Sequence, residues 1–354
     1  MKNNLHSEAI TLLKELISIP SFSKEEHATA GAITKFIGTK GIEHVRISNN
    51  VFAKSKHYDS SKPTILLNSH HDTVKPNSGY TLDPFSPVER DGKLFGLGSN
   101  DAGGSLVSLI VTFLHFYDQP DLKYNLIIAA TAEEEISGHN GIEKLLPELG
   151  SIAFAIVGEP TLMQMAIAEK GLLVLDGIAT GKAGHAARNE GENAIYKAMK
   201  DIEWFSTYQF PKVSDLLGPV KMSITVINTE NKAHNVVPSQ CNFVADIRVN
   251  ELYSFEDILA TVKKNVQSEV SPRSLRMRSS LIPESHPVVQ SGISMGRKYY
   301  GSPTTSDKAL MPFPALKMGP GDSARSHTAD EFIFTKEIEE GIELYIELLK
   351  KVLY

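Results

Sequence analysis

A single cysteine, Cys241, stands in the 354-residue chain, so no disulfide can form within it, and a reducing compartment is expected. It sits in an alternating apolar run, the place of a core filler. No stretch reaches the ~20 apolar residues that a membrane span needs. The N-terminal MKNNLHSEAI has no apolar signal core, so the expected location is cytoplasmic. Clusters of lysine and arginine are lacking and the formal charge is −6. Neither a nucleic-acid partner nor a membrane surface is expected from that balance. Repeats and low-complexity tracts are lacking too.

What is there is the ordinary material of a globular protein, with 41% hydrophobic residues and length for two domains of roughly 100–200 residues each. Residues 7–19 and 25–39 carry helical spacing, stopped by Pro20 and Gly41. TILLNSH (64–70), NLIIAATA (125–132) and FAIVGEP (154–160) read as buried strands. An all-round apolar helix over 104–117 and a helix near 140–147 lie between them. That alternation predicts an α/β sheet covered on both faces. From about residue 171 the strands alternate instead, as in half-exposed sheets: 172–180, 221–229, 240–249 and 274–281, with helices at 193–205 and 255–270. Ser254 and Asp257 come close to a capping box at the second of these. The order βαββαβ is the ferredoxin-like unit. Texture of the first kind returns near 287, so the expected domains are 1–170 with 282–354, and an inserted 171–281.

Five polar segments close the apolar strands or lie beside them, where ligands bind in open α/β sheets. Ser69–Val74 follows a strand, so His70 and Asp72 point together and His71 points away. A metal-bound imidazole donates its other N–H to a carboxylate, and His-x-Asp supplies both parts; taken alone, a structural histidine is the commoner use. Phe95–Gly104 surrounds Asp101 with glycines, so the backbone passes close to something. A phosphate loop would want lysine or a helix-start glycine pattern, and Asp101 as a ligand fits better. Glu133, Glu134 and Glu135 end a buried strand, where adjacent carboxylates call for cations. A solvated charge run is the ordinary alternative. Glu159 closes another apolar strand, and His327 lies in a polar stretch near the C-terminus. Histidines and carboxylates without cysteine suit Zn²⁺, Co²⁺ or Mn²⁺ in an open catalytic site. A pair of ions needs one bridging carboxylate and sits ~3.5–4 Å apart.

Taken in order, HHDTV, GLGSNDAGG, TAEEE, VGEP and SHTADE resemble the M20 metallopeptidase family. That family includes acetylornithine deacetylase, succinyl-diaminopimelate desuccinylase, aminoacylase and glutamate carboxypeptidase. The resemblance covers essentially the whole chain. It implies a zinc-exopeptidase-like catalytic domain with a mostly parallel sheet and an inserted ferredoxin-like lid. By the same resemblance, His70 and Glu159 bind one ion, Asp101 bridges, and Glu135 and His327 bind the second. Glu134 is then the general base, Asp72 orients His70, and the peptide after Asp101 is cis. In the lid, GKAGHA matches the family's G-x-x-G-H motif, whose histidine, here His185, stabilises the oxyanion, often in the partner subunit's site. Asn235 and Arg248 match the lid's contacts to a substrate carboxylate. Two departures stand out: Glu-Glu-Glu replaces Asp-Glu-Glu, leaving the register open by one, and the lysine usual after the aspartate is Ala102. The implied enzyme is a homodimeric amidohydrolase carrying two divalent ions, Zn²⁺ first and Co²⁺ second. It would remove an acetyl or succinyl group from ornithine or a related amino acid, in arginine biosynthesis. Succinyl-diaminopimelate desuccinylase is the runner-up, then a dipeptidase or carboxypeptidase.

Overall fold

The structure, a computed structural model, describes residues 2–188 and 190–354. The chain divides into two compact units. One comprises Met1–Ile167, Leu281–Tyr300 and Ser306–Tyr354; the other comprises Ala168–Ser280 and Gly301–Thr305.

The first unit is built on a mixed sheet whose centre is parallel. Thr64–His70 lies between Asn125–Thr131 and Phe154–Val157, parallel to both, and Ala315–Lys317 extends the parallel set. The hairpin His44–Ile47 and Asn50–Lys54 closes one side antiparallel. All seven residues of Thr64–His70 and of Asn125–Thr131 are buried. These strands therefore read as continuous apolar runs rather than alternating ones. Leu66, Ile127, Ala129, Ala155 and Val157 pack with Ile142, Leu145 and Leu149 of the helix Ile142–Leu149. The helix Gly104–Phe116 is buried on almost every side and packs with Lys2–Ile17 and Thr335–Leu353. The first helix begins earlier than the spacing predicts, at Lys2, and ends at Ile17.

Register decides what happens at the strand ends. His70 stands opposite Thr131, and Asn68 opposite Val157. The segments that follow these strands therefore leave the sheet side by side, at its carboxyl edge.

The second unit is a four-stranded antiparallel sheet in the order Lys221–Asn228, Gln240–Val249, Gly171–Thr180, Glu269–Pro272. That is the ferredoxin-like strand order. Its core holds Leu173, Leu175, Phe205, Phe243, Ile247, Ile258 and the buried Cys241. Ser254 caps the helix Phe255–Asn265 in a full capping box with Asp257. The expected helix over 255–270 and strand over 274–281 need correction. The helix stops at Asn265 because the buried Asp201 carboxylate accepts the N–H groups of Gln267 and Ser268, at 3.0 and 2.8 Å. The chain then turns extended, Val270 enters the core, and Glu269–Pro272 is the strand that pairs with Gly171–Thr180. Within 274–279 only Met277 is buried, and the strand there is limited to Ser280–Leu281.

Candidate metal centre

Five segments of the first unit converge at the carboxyl edge of its parallel strands. His70 is the last residue of its strand and 1% exposed. Its Nδ1 lies 2.9 Å from the Asp72 carbonyl oxygen and 3.4 Å from Asp72 Oδ1. Nδ1–H thus donates towards Asp72, and the Nε2 lone pair faces the centre. His71 turns the other way, with Nε2 on the Asn49 carbonyl and Nδ1 on Thr29 Oγ1; burial pushes its pKa down to about 4.

Asp101 is presented by the glycine-rich turn. Gly98 is left-handed at φ 75°. A Cβ on Gly103 would come within 2.4 Å of the Gly98 carbonyl oxygen, so only glycine lets this loop close on itself. The Asp101–Ala102 peptide is cis, as the resemblance implies. Asp101 Oδ1 lies 3.3 Å from His70 Nε2, while Oδ2 lies 3.8 Å from His327 Nε2.

The three glutamates after Thr131 separate by partner. Glu133 is left-handed (φ 56°), and its carboxylate accepts from Asn140 N and Nδ2. Glu134 Oε2 is 4.0 Å from His70 Nε2. Glu135 Oε2 is 3.0 Å from His327 Nε2. The Asp72 carboxylate accepts the N–H groups of both Glu134 and Glu135, at 3.0 and 3.2 Å. Glu159 Oε1 lies 3.7 Å from His70 Nε2.

Two donor groups result: His70, Asp101 and Glu159, and Asp101, Glu135 and His327. In each, the ligand atoms lie within 4.8 Å of one another. Asp101 belongs to both. The electrostatics are those of a site with too many carboxylates. Burial opposes a charged His70, but Asp101, Asp72, Glu134 and Glu159 outweigh it and hold its pKa well above the usual value. Burial, with Glu159, Asp307 and Glu135 adding to it against His70, pushes Glu134 well up. The hydrogen bond to Glu135 raises His327 to about 9. Cations placed among these groups would relieve the same repulsion.

Sequence reasoning missed several supports. Asp307 is buried, accepts from Asn68 Nδ2 and Thr131 Oγ1, and is pushed by burial to about 6. Glu26 accepts the Glu133 N–H, at 3.2 Å. Glu331 accepts from the Asp101 loop; burial and the charge on Asp101 push its carboxyl up to about 8, against three amides that favour the anion. The acid pair Asp330–Glu331 before the apolar FIF was the one local signal for Glu331.

The remaining sequence-derived residues lie in the second unit. His185 is exposed on a short ribbon facing Val236, and the Ala186 N–H donates to the Asn235 carbonyl. His185 Nδ1 accepts the Ala187 N–H, so the neutral ring carries its hydrogen on Nε2. Arg248 is forked onto Asp246, at 2.8 and 3.1 Å.

The fold and the paired donor groups define a hydrolase of the metallopeptidase and deacylase class. The chain belongs to peptidase family M20/M25/M40, whose model matches residues 66–351. It is 29% identical to acetylornithine deacetylase of Proteus mirabilis (strain HI4320), across 96% of each chain. It is 25% identical to succinyl-diaminopimelate desuccinylase of Wolbachia pipientis subsp. Culex pipiens (strain wPip), across 98% of this chain and 94% of that one. Among solved structures it is similar to the Bacillus subtilis YXEP protein, described as a dinuclear metal binding peptidase, with TM-score 0.77, 16% identity and 99% of each chain covered. Among the described residues, no helix is long and apolar enough to cross a membrane.

Proposed function

We propose that this protein is a two-metal N-acyl amino-acid amidohydrolase acting on an acetyl or succinyl derivative of ornithine or a related amino acid. The observation that carries the reading is the division of Asp101, with one oxygen towards His70 and the other towards His327. His70 and Glu159 would hold one ion, Glu135 and His327 the other, with Asp101 between them. A mixed imidazole and carboxylate set favours Zn²⁺, with Co²⁺ next. Such a pair of ions supplies Lewis acidity to the scissile carbonyl and acidifies water.

Glu134 takes the proton of the attacking water and delivers it to the leaving amine. Its carboxylate faces the centre yet belongs to neither donor group, and Asp72 holds its main chain. From the second unit, His185 Nε2–H would donate to the developing oxyanion, a contribution on the order of 3 kcal/mol for one donor. Asn235 and Arg248 would meet the substrate carboxylate, which would share Arg248 with Asp246. A homodimer through the second unit is part of the proposal. Lys221–Asn228 is the edge of that sheet, and Val226 and Ile227 are about half exposed, at 46% and 52%. An open apolar edge of this kind favours pairing with a second copy. Action in the cytoplasm, within arginine biosynthesis, completes the reading.

The test is release of free amine from N-acetylornithine, N-succinylornithine, N-acetylcitrulline and succinyl-diaminopimelate, each with and without chelator. Chelator-sensitive turnover of an ornithine derivative is expected. Preference for succinyl-diaminopimelate would favour the desuccinylase reading, which the relatives of that name support. No turnover of any of them would end the proposal.

A further inference from the structure

Glu331 is 2% exposed and belongs to neither donor group. Its Oε1 accepts the N–H groups of Asn100 and Asp101, at 2.8 and 2.9 Å, and its Oε2 accepts that of Gly98, at 3.1 Å. The Gly96 N–H donates to the Glu331 carbonyl, at 2.9 Å. The amides of the turn that presents Asp101 thus converge on one residue more than two hundred positions away. An ionised carboxylate has acceptor sites for three such donors and no donor of its own to oppose them.

Glu331 also belongs to the segment that carries His327. That segment is tied down independently. Asp330 accepts the Thr81 and Leu82 N–H groups, at 2.8 and 2.9 Å, and Asn77 Nδ2 donates to the His327 carbonyl, at 3.3 Å. One short stretch therefore bears a donor of the second group and the anchor of the loop that supplies Asp101. We infer that Glu331 is a positioning residue: it holds the Asp101 loop at the distance from His327 that a second ion requires. Its carboxylate meets the donor residue Asp101 at the main-chain N–H and acts through the main chain of the loop. The part of this inference that concerns metal rests on the two-ion reading above.

The test compares the wild type, Glu331→Gln and a control, Glu337→Gln, which removes the nearby Arg325 ion pair and belongs to neither donor group. Two quantities are measured: amide hydrogen exchange across residues 96–104 in the metal-free protein, and Co²⁺ titration of the full chain followed by its ligand-field absorption. In Glu331→Gln, exchange at 98–101 should quicken and the second Co²⁺ should bind at least about tenfold more weakly, with an altered spectrum. Glu337→Gln should match the wild type in both. If Glu331→Gln melts at a lower temperature but keeps wild-type exchange and the wild-type Co²⁺ spectrum, Glu331 is a core anchor and the inference is wrong. Should Glu331→Gln not fold, Glu331→Asp keeps the charge on a shorter stem; faster exchange at 98–101 supports the inference and unchanged exchange overturns it. Uptake of fewer than two Co²⁺ by the wild type would count against the two-ion reading alone, because the exchange measurement decides the role of Glu331 without metal.

Discussion

Three carboxylates outside the donor groups take main-chain amides of the turns that carry donors. Glu26 holds Glu133, Asp72 holds Glu134 and Glu135, and Glu331 holds Asp101. Partners of this kind are worth nearly as much as ligands, because they fix where a ligand oxygen points. Asp72→Asn leaves one of two amides facing an NH₂ group, and should cost about 10–100-fold in metal affinity or turnover; direct metal titration and steady-state kinetics measure both. Glu134→Ala should lose about 10²–10⁴-fold in turnover, the usual worth of a general base, and still bind both ions. Loss of metal in that variant would mean that Glu134 is a ligand. Glu133→Gln keeps its partner Asn140 within reach and should leave turnover near the wild-type rate. A large loss there would shift the assignment by one residue.

At the scale of elements, ends are decided by distant partners. The helix Phe255–Asn265 stops where Asp201 captures the next amides. Asp201→Ala would strand the buried Ser268 N–H at a cost of about 1–3 kcal/mol, read as a lower denaturation midpoint. The helix Pro287–Ser294 starts at His286, whose Nδ1 accepts the Val288 N–H at 3.3 Å. Burial lowers the His286 pKa below its usual 6.5. The folded state therefore resists protonation while the unfolded chain accepts it. This contribution is full above pH 6.5 and is lost as pH falls through the folded value. His286→Asn keeps a cap acceptor that does not titrate, and a cap is worth about 1 kcal/mol. The stability of the wild type relative to His286→Asn should thus fall on acidification below pH 6.5. A flat difference in urea titrations across that range would refute the role.

For the whole molecule, metal and partner are the two levers. Ions at a hundred times their Kd stabilise the fold by about 2.7 kcal/mol, so chelation should lower the melting temperature along with activity, and calorimetry with and without chelator measures it. His185 belongs to the second unit and every donor to the first. Mixing inactive His185→Ala with inactive Glu134→Ala chains separates action within one subunit from action across a dimer. If His185 serves its partner's site, each hybrid dimer has one site with both lesions and one with neither, and activity partly returns. Absence of recovery after demonstrated subunit exchange would assign His185 to its own chain or to no role.

Much of this was legible in the amino-acid order itself. Continuous apolar runs at 64–70, 125–132 and 154–157 can be buried only as covered strands, and a polar residue closing such a run must leave the sheet where its neighbours do. His70, Glu134, Glu135 and Glu159 stand out for that reason, as does Asp101 among its glycines. These are signals carried by a few adjacent residues. The remaining features depend on partners far apart in the chain. Three consecutive glutamates look alike until the Glu133 carboxylate meets Asn140, that of Glu135 meets His327, and that of Glu134 faces His70. A helical pattern runs through 266–270 until Asp201 takes its amides. Glu331 and Asp307 look like ordinary acids until the fold buries them against Gly98, Asn100, Asn68 and Thr131. Local spacing determined which residues arrive at the carboxyl edge of the sheet. Tertiary structure alone decided which oxygen of each faces the centre, because a hydrogen bond is directional and its partner's distance along the sequence leaves no local trace.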